Sequence, residues 1–240
     1  EIGADYIATG HYARIDQLLN GRYAIRSSVT AAKDQTYALY NLTQEQLRHT
    51  LMPIGEYEKT RVREIAEEAG LPVAHKPDSQ EICFINDNDY AGFIDREAKG
   101  RVPKPGYFVT KDGRVLGKHE GITHYTVGQR KGLNLAMGHP VFVTQIRPET
   151  DEVVIGESED VFGTQLDCNR LNFMSVPDIT ARTHVLAKIR YSHKGAPAVI
   201  EKTGQDTVHV TFEEPVRAIT PGQAVVFYDG EDILGGALLC

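Results

Sequence analysis

The run Lys76-Pro-Asp-Ser-Gln-Glu-Ile-Cys-Phe-Ile85 sets one thiol, Cys83, beside a stretch more polar than a core needs. Between Ile82 and Phe84, the plain reading of Cys83 is a buried core cysteine, because free cysteine is among the most buried residue types. The chemical reading is a nucleophilic or sulfur-carrying thiol at the edge of the Asp78-Ser-Gln-Glu81 loop. Such a thiol needs a cation or a helix N-terminus to lower its pKa, and His75 and Lys76 are the neighbouring candidates. A second run, Lys33-Asp34-Gln35, leads into Thr36-Tyr-Ala-Leu-Tyr40. As structure it opens a surface helix with Asp34 near the positive end. As chemistry the three side chains suit a sugar-phosphate backbone or a base edge. Gly10-His11-Tyr12 closes the apolar run from Asp5, at the kind of strand end where α/β folds bind ligands. Nine histidines with neither HExxH nor Cys/His ligand spacing predict no metal site.

Charge is unevenly spread. The 240 residues carry 26 Lys+Arg against 33 Asp+Glu, a formal charge of −7, which argues against a bulk electrostatic grip on nucleic acid. Residues 96 to 131 nevertheless hold nine cations and three acids, so that window is +6 and the rest of the chain −13. Tyr107, Phe108 and Tyr125 sit among those cations, where rings stack on unpaired bases; an ordinary solvated face explains the same pattern. A second basic patch, Lys188-Ile-Arg-Tyr-Ser-His-Lys194, ends a strand of the kind whose loops meet oligonucleotides in small barrels.

These residues need elements to hold them. Asp5 to Gly10 reads as a short buried strand, and Arg22 to Val29 as a second. Thr43 followed by Gln46 is a capping box starting a helix towards Leu51. Val62, Ile65, Ala66 and Ala69 repeat with helical spacing over 59 to 69, and a further helix is predicted from Asp87 to Ala98, so helices should dominate up to residue 98. Beyond Pro103 the period shortens to two. Lys111-Asp-Gly-Arg114 is a hairpin turn, with strands predicted around Val115, Thr126, Val141 to Ile146 and Asp151 to Gly156. Seven acids without a cation between Glu149 and Asp167 read as a solvated rim and junction. Five strands then follow, around 185–190, 198–201, 207–212, 224–228 and 233–238, favouring a small closed antiparallel barrel because closure removes exposed edges. Residues 165 to 240 are expected to fold alone.

Composition excludes several classes. Charged residues at 25% and hydrophobic ones at 41% belong to a soluble globular protein rather than a disordered one. No run approaches the ~20 apolar residues of a membrane span, and the first residues lack a signal core. Three scattered cysteines, Cys83, Cys168 and Cys240, make no disulfide framework, so a reduced intracellular compartment is expected. The chain starts without Met, as a processed, tagged or truncated product would.

Ala8-Thr-Gly-His-Tyr-Ala-Arg14, Lys33-Asp-Gln-Thr-Tyr-Ala-Leu-Tyr40, Asp78-Ser-Gln-Glu-Ile-Cys-Phe-Ile85, Tyr125-Thr-Val-Gly-Gln-Arg-Lys-Gly-Leu133 and Arg190-Tyr-Ser-His193 together resemble the bacterial tRNA-specific 2-thiouridylase family over essentially the whole chain. The resemblance implies ATP-dependent adenylation, with Mg2+, of the C2 carbonyl of the wobble uridine at tRNA position 34. Sulfur carried as a persulfide then replaces the oxygen. It implies the α/β remnant of an adenine-nucleotide alpha-hydrolase-like (PP-loop) domain over 1–98, a small central β module over 99–160 and a C-terminal antiparallel β barrel over 165–240. The family's phosphate loop and first catalytic cysteine precede the point where this sequence starts, so the expectation is a chain inactive by itself. By the same resemblance Cys83 is the persulfide-bearing cysteine and Gly10 lines the ATP pocket. His11, Lys33, Asp34, Gln35, Arg190, Tyr191 and Gln223 contact tRNA. The first cysteine would release the sulfur by closing a disulfide with Cys83, and neither Cys168 nor Cys240 suits that role. The implied partners are tRNA and a sulfur-relay donor protein, with a monomer in the cytoplasm and no membrane. The alternative is a non-catalytic tRNA-binding or structural fragment.

Overall fold

A computed structural model of the chain describes residues 3–72, 74–75, 89–98 and 104–240. The chain divides into two units, one of residues 1–76, 164–214 and 220–240, the other of residues 77–163 and 215–219.

In the first unit, β1 (Ile7–Ala8) is followed by β2 (Ala13–Gln17) and β3 (Tyr23–Ser27), then α1 (Gln44–Arg48), β4 (Thr50–Leu51) and α2 (Lys59–Glu68). β1 pairs in parallel with β4. The buried strand expected from Asp5 to Gly10 is thus only two residues long, and both are exposed. α1 starts where the capping box predicts: Thr43 Oγ1 accepts from the Gln46 N–H, and Gln46 Oε1 accepts from the Thr43 N–H at 2.9 Å. α2 forms over the predicted span, yet none of its residues is buried, so its apolar stripe packs less than the periodicity suggests. β2 pairs antiparallel with β3, making the front of this unit richer in strand than expected. The charges of this hairpin are partnered: Arg14 with Glu231 at 2.9 Å, and Arg26 with Asp16 at 3.0 Å and Asp232 at 2.7 Å.

The second unit begins its described part with α3 (Tyr90–Glu97), where Asp89 caps the Gly92 N–H at 2.9 Å. Four strands follow, β5 (Gly106–Val109), β6 (Val115–His119), β7 (Phe142–Arg147) and β8 (Glu152–Gly156), in the order β6-β5-β8-β7 with β5 and β8 parallel. The Asp-Gly turn joins β5 to β6 as predicted: the Thr110 N–H donates to Arg114 O at 2.9 Å, and Gly113 takes a φ of +90° that side chains disfavour. No strand forms at Thr126; the neighbouring Tyr125 instead packs edge-on against Phe108 at 5.0 Å. His119 is buried beside both rings, and burial pushes its pKa below the usual histidine range.

The barrel comprises β9 (Phe162–Phe173), β10 (Thr183–Lys188), β11 (Ala196–Lys202), β12 (Val208–Arg217), β13 (Ala224–Asp229) and β14 (Asp232–Leu239). The order β13-β10-β11-β12-β9-β14 closes through the pairing of β13 with β14. Six strands close it rather than the expected five, and the addition is β9. The acids just before it, Glu157, Glu159 and Asp160, mask an alternation in which Leu166 and Cys168 point inward while Asp167 points out. The sheet continues past the barrel, because β3 pairs with β14 at Arg26 and Asp232. One core then spans both parts, with Ile25, Leu39 and Leu47 among Met174, Val226 and Ile233. Even the backbone joins in: the Ile25 N–H donates to Met174 Sδ at 3.2 Å, and Arg22 donates to the carbonyls of Phe173 and Met174, both at 2.9 Å. The barrel expected to fold alone therefore packs part of its wall, at Met174, Val226, Tyr228 and Ile233, against residues 13–52.

Candidate functional site

The expected surface helix at Lys33 is replaced by two single turns, Ala31–Lys33 and Thr36–Leu39, that hinge at Asp34. The Asp34 carboxylate makes the hinge. Oδ2 accepts from the Ser28 N–H at 2.9 Å, and Oδ1 accepts from the Thr36 N–H at 3.1 Å and from the Thr36 hydroxyl. Gln35 pairs with Tyr12 through its own N–H at 3.0 Å and through Oε1, which accepts the Tyr12 N–H at 2.9 Å. Two side chains of the triplet are thereby committed to the fold, while Lys33 is exposed.

From the barrel, β10 delivers Arg190 and Tyr191 to the same place. Tyr191 Oη donates to Asp34 O at 3.2 Å, and its ring meets Tyr37 edge-on, centroids 6.2 Å apart. Tyr37 Oη donates in turn to Ala224 O at 2.7 Å, one residue from the exposed Gln223. Tyr191 and the Arg190 charge thus meet one buried tyrosine within a single unit, with Gln223 next in sequence to the residue that tyrosine bonds and Lys33 next to Asp34. Gly10 and His11 adjoin them through the Tyr12–Gln35 pair; His11 Nδ1 is hydrogen-bonded to Thr9 Oγ1. A Cβ built on Gly10 would meet only Ile54 Cδ1, at 4.0 Å, so that backbone is open to close approach. A single open glycine is not a phosphate cradle. Cys83 lies outside the described residues.

Burial, opposed by the Arg190 charge, pushes the Tyr37 hydroxyl up to about 12, and burial raises Tyr228 as well. Tyr228 Oη lies 3.0 Å from Thr36 Oγ1; since the Thr36 hydroxyl donates to Asp34, Tyr228 is the donor to it. Lys188 Nζ sits 4.8 Å from the centre of the Tyr228 ring. His193 is held below the usual histidine range, first by burial and then by the Arg190 and Lys188 charges, and its Nδ1 has no hydrogen-bond partner among the described residues. Near neutral pH the cluster therefore offers fixed cations, neutral hydroxyls and the exposed face of Tyr191. That set holds an anion and stacks a ring; it is poorly suited to moving protons.

Sequence reasoning missed Thr36, Tyr37 and Tyr228 as the parts that hold the site. Tyr37 lies inside a motif already singled out, but only its contacts with Tyr191 and Ala224 reveal its role. Asp34→Ala should cost about 1 to 3 kcal/mol of stability, because it leaves buried or half-buried donors at Ser28 and Thr36 unpaired. Thermal unfolding beside Lys33→Ala, which should stay within about 0.5 kcal/mol as a surface change, checks this; equal losses for the two would refute it.

Comparisons with known proteins agree with this layout. Family models match three successive stretches: tRNA methyl transferase HUP domain over residues 1–87, tRNA methyl transferase PRC-barrel domain over 93–157, and Aminomethyltransferase beta-barrel domain over 164–239. The chain is 59% identical over 239 residues to the tRNA-specific 2-thiouridylase MnmA of Lachnoclostridium phytofermentans, covering 100% of the chain and 67% of that relative. It is 53% identical over 240 residues to the protein of the same name from Clostridioides difficile, covering 100% of the chain and 66% of the relative. For that of Carboxydothermus hydrogenoformans the identity is 54% over 241 residues, with coverages of 99% and 65%. The chain spans about two thirds of the length of these curated relatives.

Proposed function

Because the chain belongs to the tRNA-specific 2-thiouridylase family, we propose that its first unit is the tRNA-holding part of an enzyme that thiolates C2 of the wobble uridine. The observation that carries this reading is the meeting of the Arg190-Tyr191 pair with the Lys33–Gln35 loop: Tyr191 touches both Asp34 and Tyr37, and the Arg190 charge acts on Tyr37. Cations there attract phosphates, and the exposed Tyr191 ring offers a stacking face. Asp34 and Gln35 belong to the reading as the groups that shape the loop, and His11 as its neighbour. Cys83 is the persulfide carrier in the same proposal, supplied by a sulfur-relay donor protein, with Gly10 on the ATP side. ATP would supply the adenylyl group that turns the uridine oxygen into a leaving group. The protein would act as a monomer in the cytoplasm.

Salt titration of tRNA binding tests the holding role. Arg190→Ala should weaken binding and lower the slope of log affinity against log salt by somewhat under one unit. Tyr191→Ala should weaken it with little change in slope, since a stacked base is worth roughly 1 to 3 kcal/mol and releases no counterion. Glu159→Ala, in the acidic rim, should do neither. An Arg190→Ala curve superimposable on the wild type would remove the barrel patch from the tRNA surface.

A further inference from the structure

The basic window from Arg96 to Lys131 takes no part in the site above, and the second unit sorts its aromatic residues sharply. Phe108 is buried and Tyr125 packs against it, so both belong to the core. Tyr107 faces outward from β5, 45% exposed. Directly across the ladder stands Lys118, its Nζ 6.0 Å from the centre of the Tyr107 ring. Lys111 and Arg114 flank the hairpin turn and Lys104 precedes the strand; all are exposed, and none of the four cations forms a salt bridge among the described residues. Lys104 lies three residues before Tyr107 and Lys111 four after it, at most about 10 and about 13 Å of chain away. The hairpin therefore carries four exposed cations about one exposed ring, with Lys118 on the same face as that ring.

One nearby acid offsets part of this charge and leaves the cations in excess: the Asp112 carboxylate accepts from the Thr110 hydroxyl within the turn and is held below the usual carboxylate range by that bond, with the Arg114 charge adding to it. Glu152, the partner of Tyr107 in β8, is held by Arg147 at 3.1 Å and Thr150 at 3.0 Å. Glu120 lies past the end of β6.

We infer that the outer face of the β5–β6 hairpin is a second RNA-contact surface, on which an unpaired base stacks on Tyr107 while the phosphates flanking it lie along Lys104, Lys111, Arg114 and Lys118. The inference rests on the tRNA-holding role proposed above and adds to it a surface in the other unit. An acidic protein segment would satisfy the cations but makes no use of a ring bracketed by them, whereas every nucleobase has a π face and a phosphate on each side. A fully paired helix hides those faces, so the surface selects unpaired nucleotides.

The chain contains no tryptophan, so Tyr107→Trp places a single indole on the platform. Titrating it with a uridine decamer should quench the indole, whereas a blunt RNA duplex and poly-glutamate of matched charge should not. Tyr107→Ala should weaken decamer binding by about 5- to 100-fold at unchanged salt slope, and Lys118→Gln should flatten the slope by somewhat under one unit. Quenching by poly-glutamate equal to that by the decamer would overturn the inference in favour of an acidic protein partner. A silent indole, with Tyr107→Ala at wild-type affinity for tRNA that still depends on Arg190, would overturn it and leave the first site standing. Decamer stacking on the indole alongside tRNA binding indifferent to Arg190 and Tyr191 would support this surface and sink the first.

Discussion

A chain carrying Ile25→Ala should lose about 2 to 5 kcal/mol and should unfold its barrel together with its front hairpin. Ile25 is fully buried, on a strand the sequence reading assigned to a different domain from the barrel, yet its neighbours in the core include Met174, Val226 and Ile233. Removing three carbons there opens a cavity lined by barrel residues. Since a domain's whole stability is about 5 to 15 kcal/mol, a loss of that size is a large share of it. Hydrogen exchange reads the outcome. If the two parts are one cooperative body, amides of β11, remote from the mutation, should lose protection in step with those of β2 and β3. Protection of β11 that survives while the hairpin exchanges freely would show the barrel to be independent, as its closed strand order alone suggests.

In a full-length protein that contains this chain together with the family's phosphate loop and first cysteine, the proposed thiolation predicts that Cys83→Ser abolishes sulfur incorporation while tRNA affinity stays within about threefold. The argument is chemical. A persulfide places a sulfur-bound sulfur on the carrier, and a serine hydroxyl cannot hold one; it is also a far weaker nucleophile at neutral pH than a thiolate. The side chain carries no positive charge to lose from the phosphate grip. Assay of tRNA-bound sulfur beside a filter-binding isotherm separates the two effects. Sulfur incorporation at the wild-type rate by Cys83→Ser would end its assignment as the carrier, whereas a parallel fall in affinity would make it part of the binding surface.

Signals that are local in sequence were legible in advance. Thr43 and Gln46 announce α1 because a capping box needs only three residues. Asp112-Gly113 announces the β5–β6 turn for the same reason. The alternation around Val208 to Phe212 announces β12 because one face is buried and the other wet. β9 escaped notice because acids fill its near flank and Asp167 sits between its inward Leu166 and Cys168, so the alternation did not stand out. The site is legible in a different way. Nothing in spacing joins Asp34 to Tyr191, 157 residues apart; only the resemblance grouped them, and only the fold shows that they touch. Nor can a one-letter run reveal that the Asp34 carboxylate points inward.

β14 bears on how the molecule comes to be made. Its first residue pairs with β3, its later residues with β9, and its other edge with β13, so the front hairpin and the barrel are closed by the same eight residues, Asp232–Leu239. During synthesis those residues leave the ribosome after every strand they complete. The hairpin, finished by Ser27, must wait some two hundred residues for Arg26 to meet Asp232. Contacts that distant slow folding, because the loop must close before any reward arrives. The nascent chain therefore carries an unpaired β3 edge while residues 28 to 231 are made, the state in which strands find wrong partners. The central sheet, complete by Gly156, can form while its flanks are still waiting.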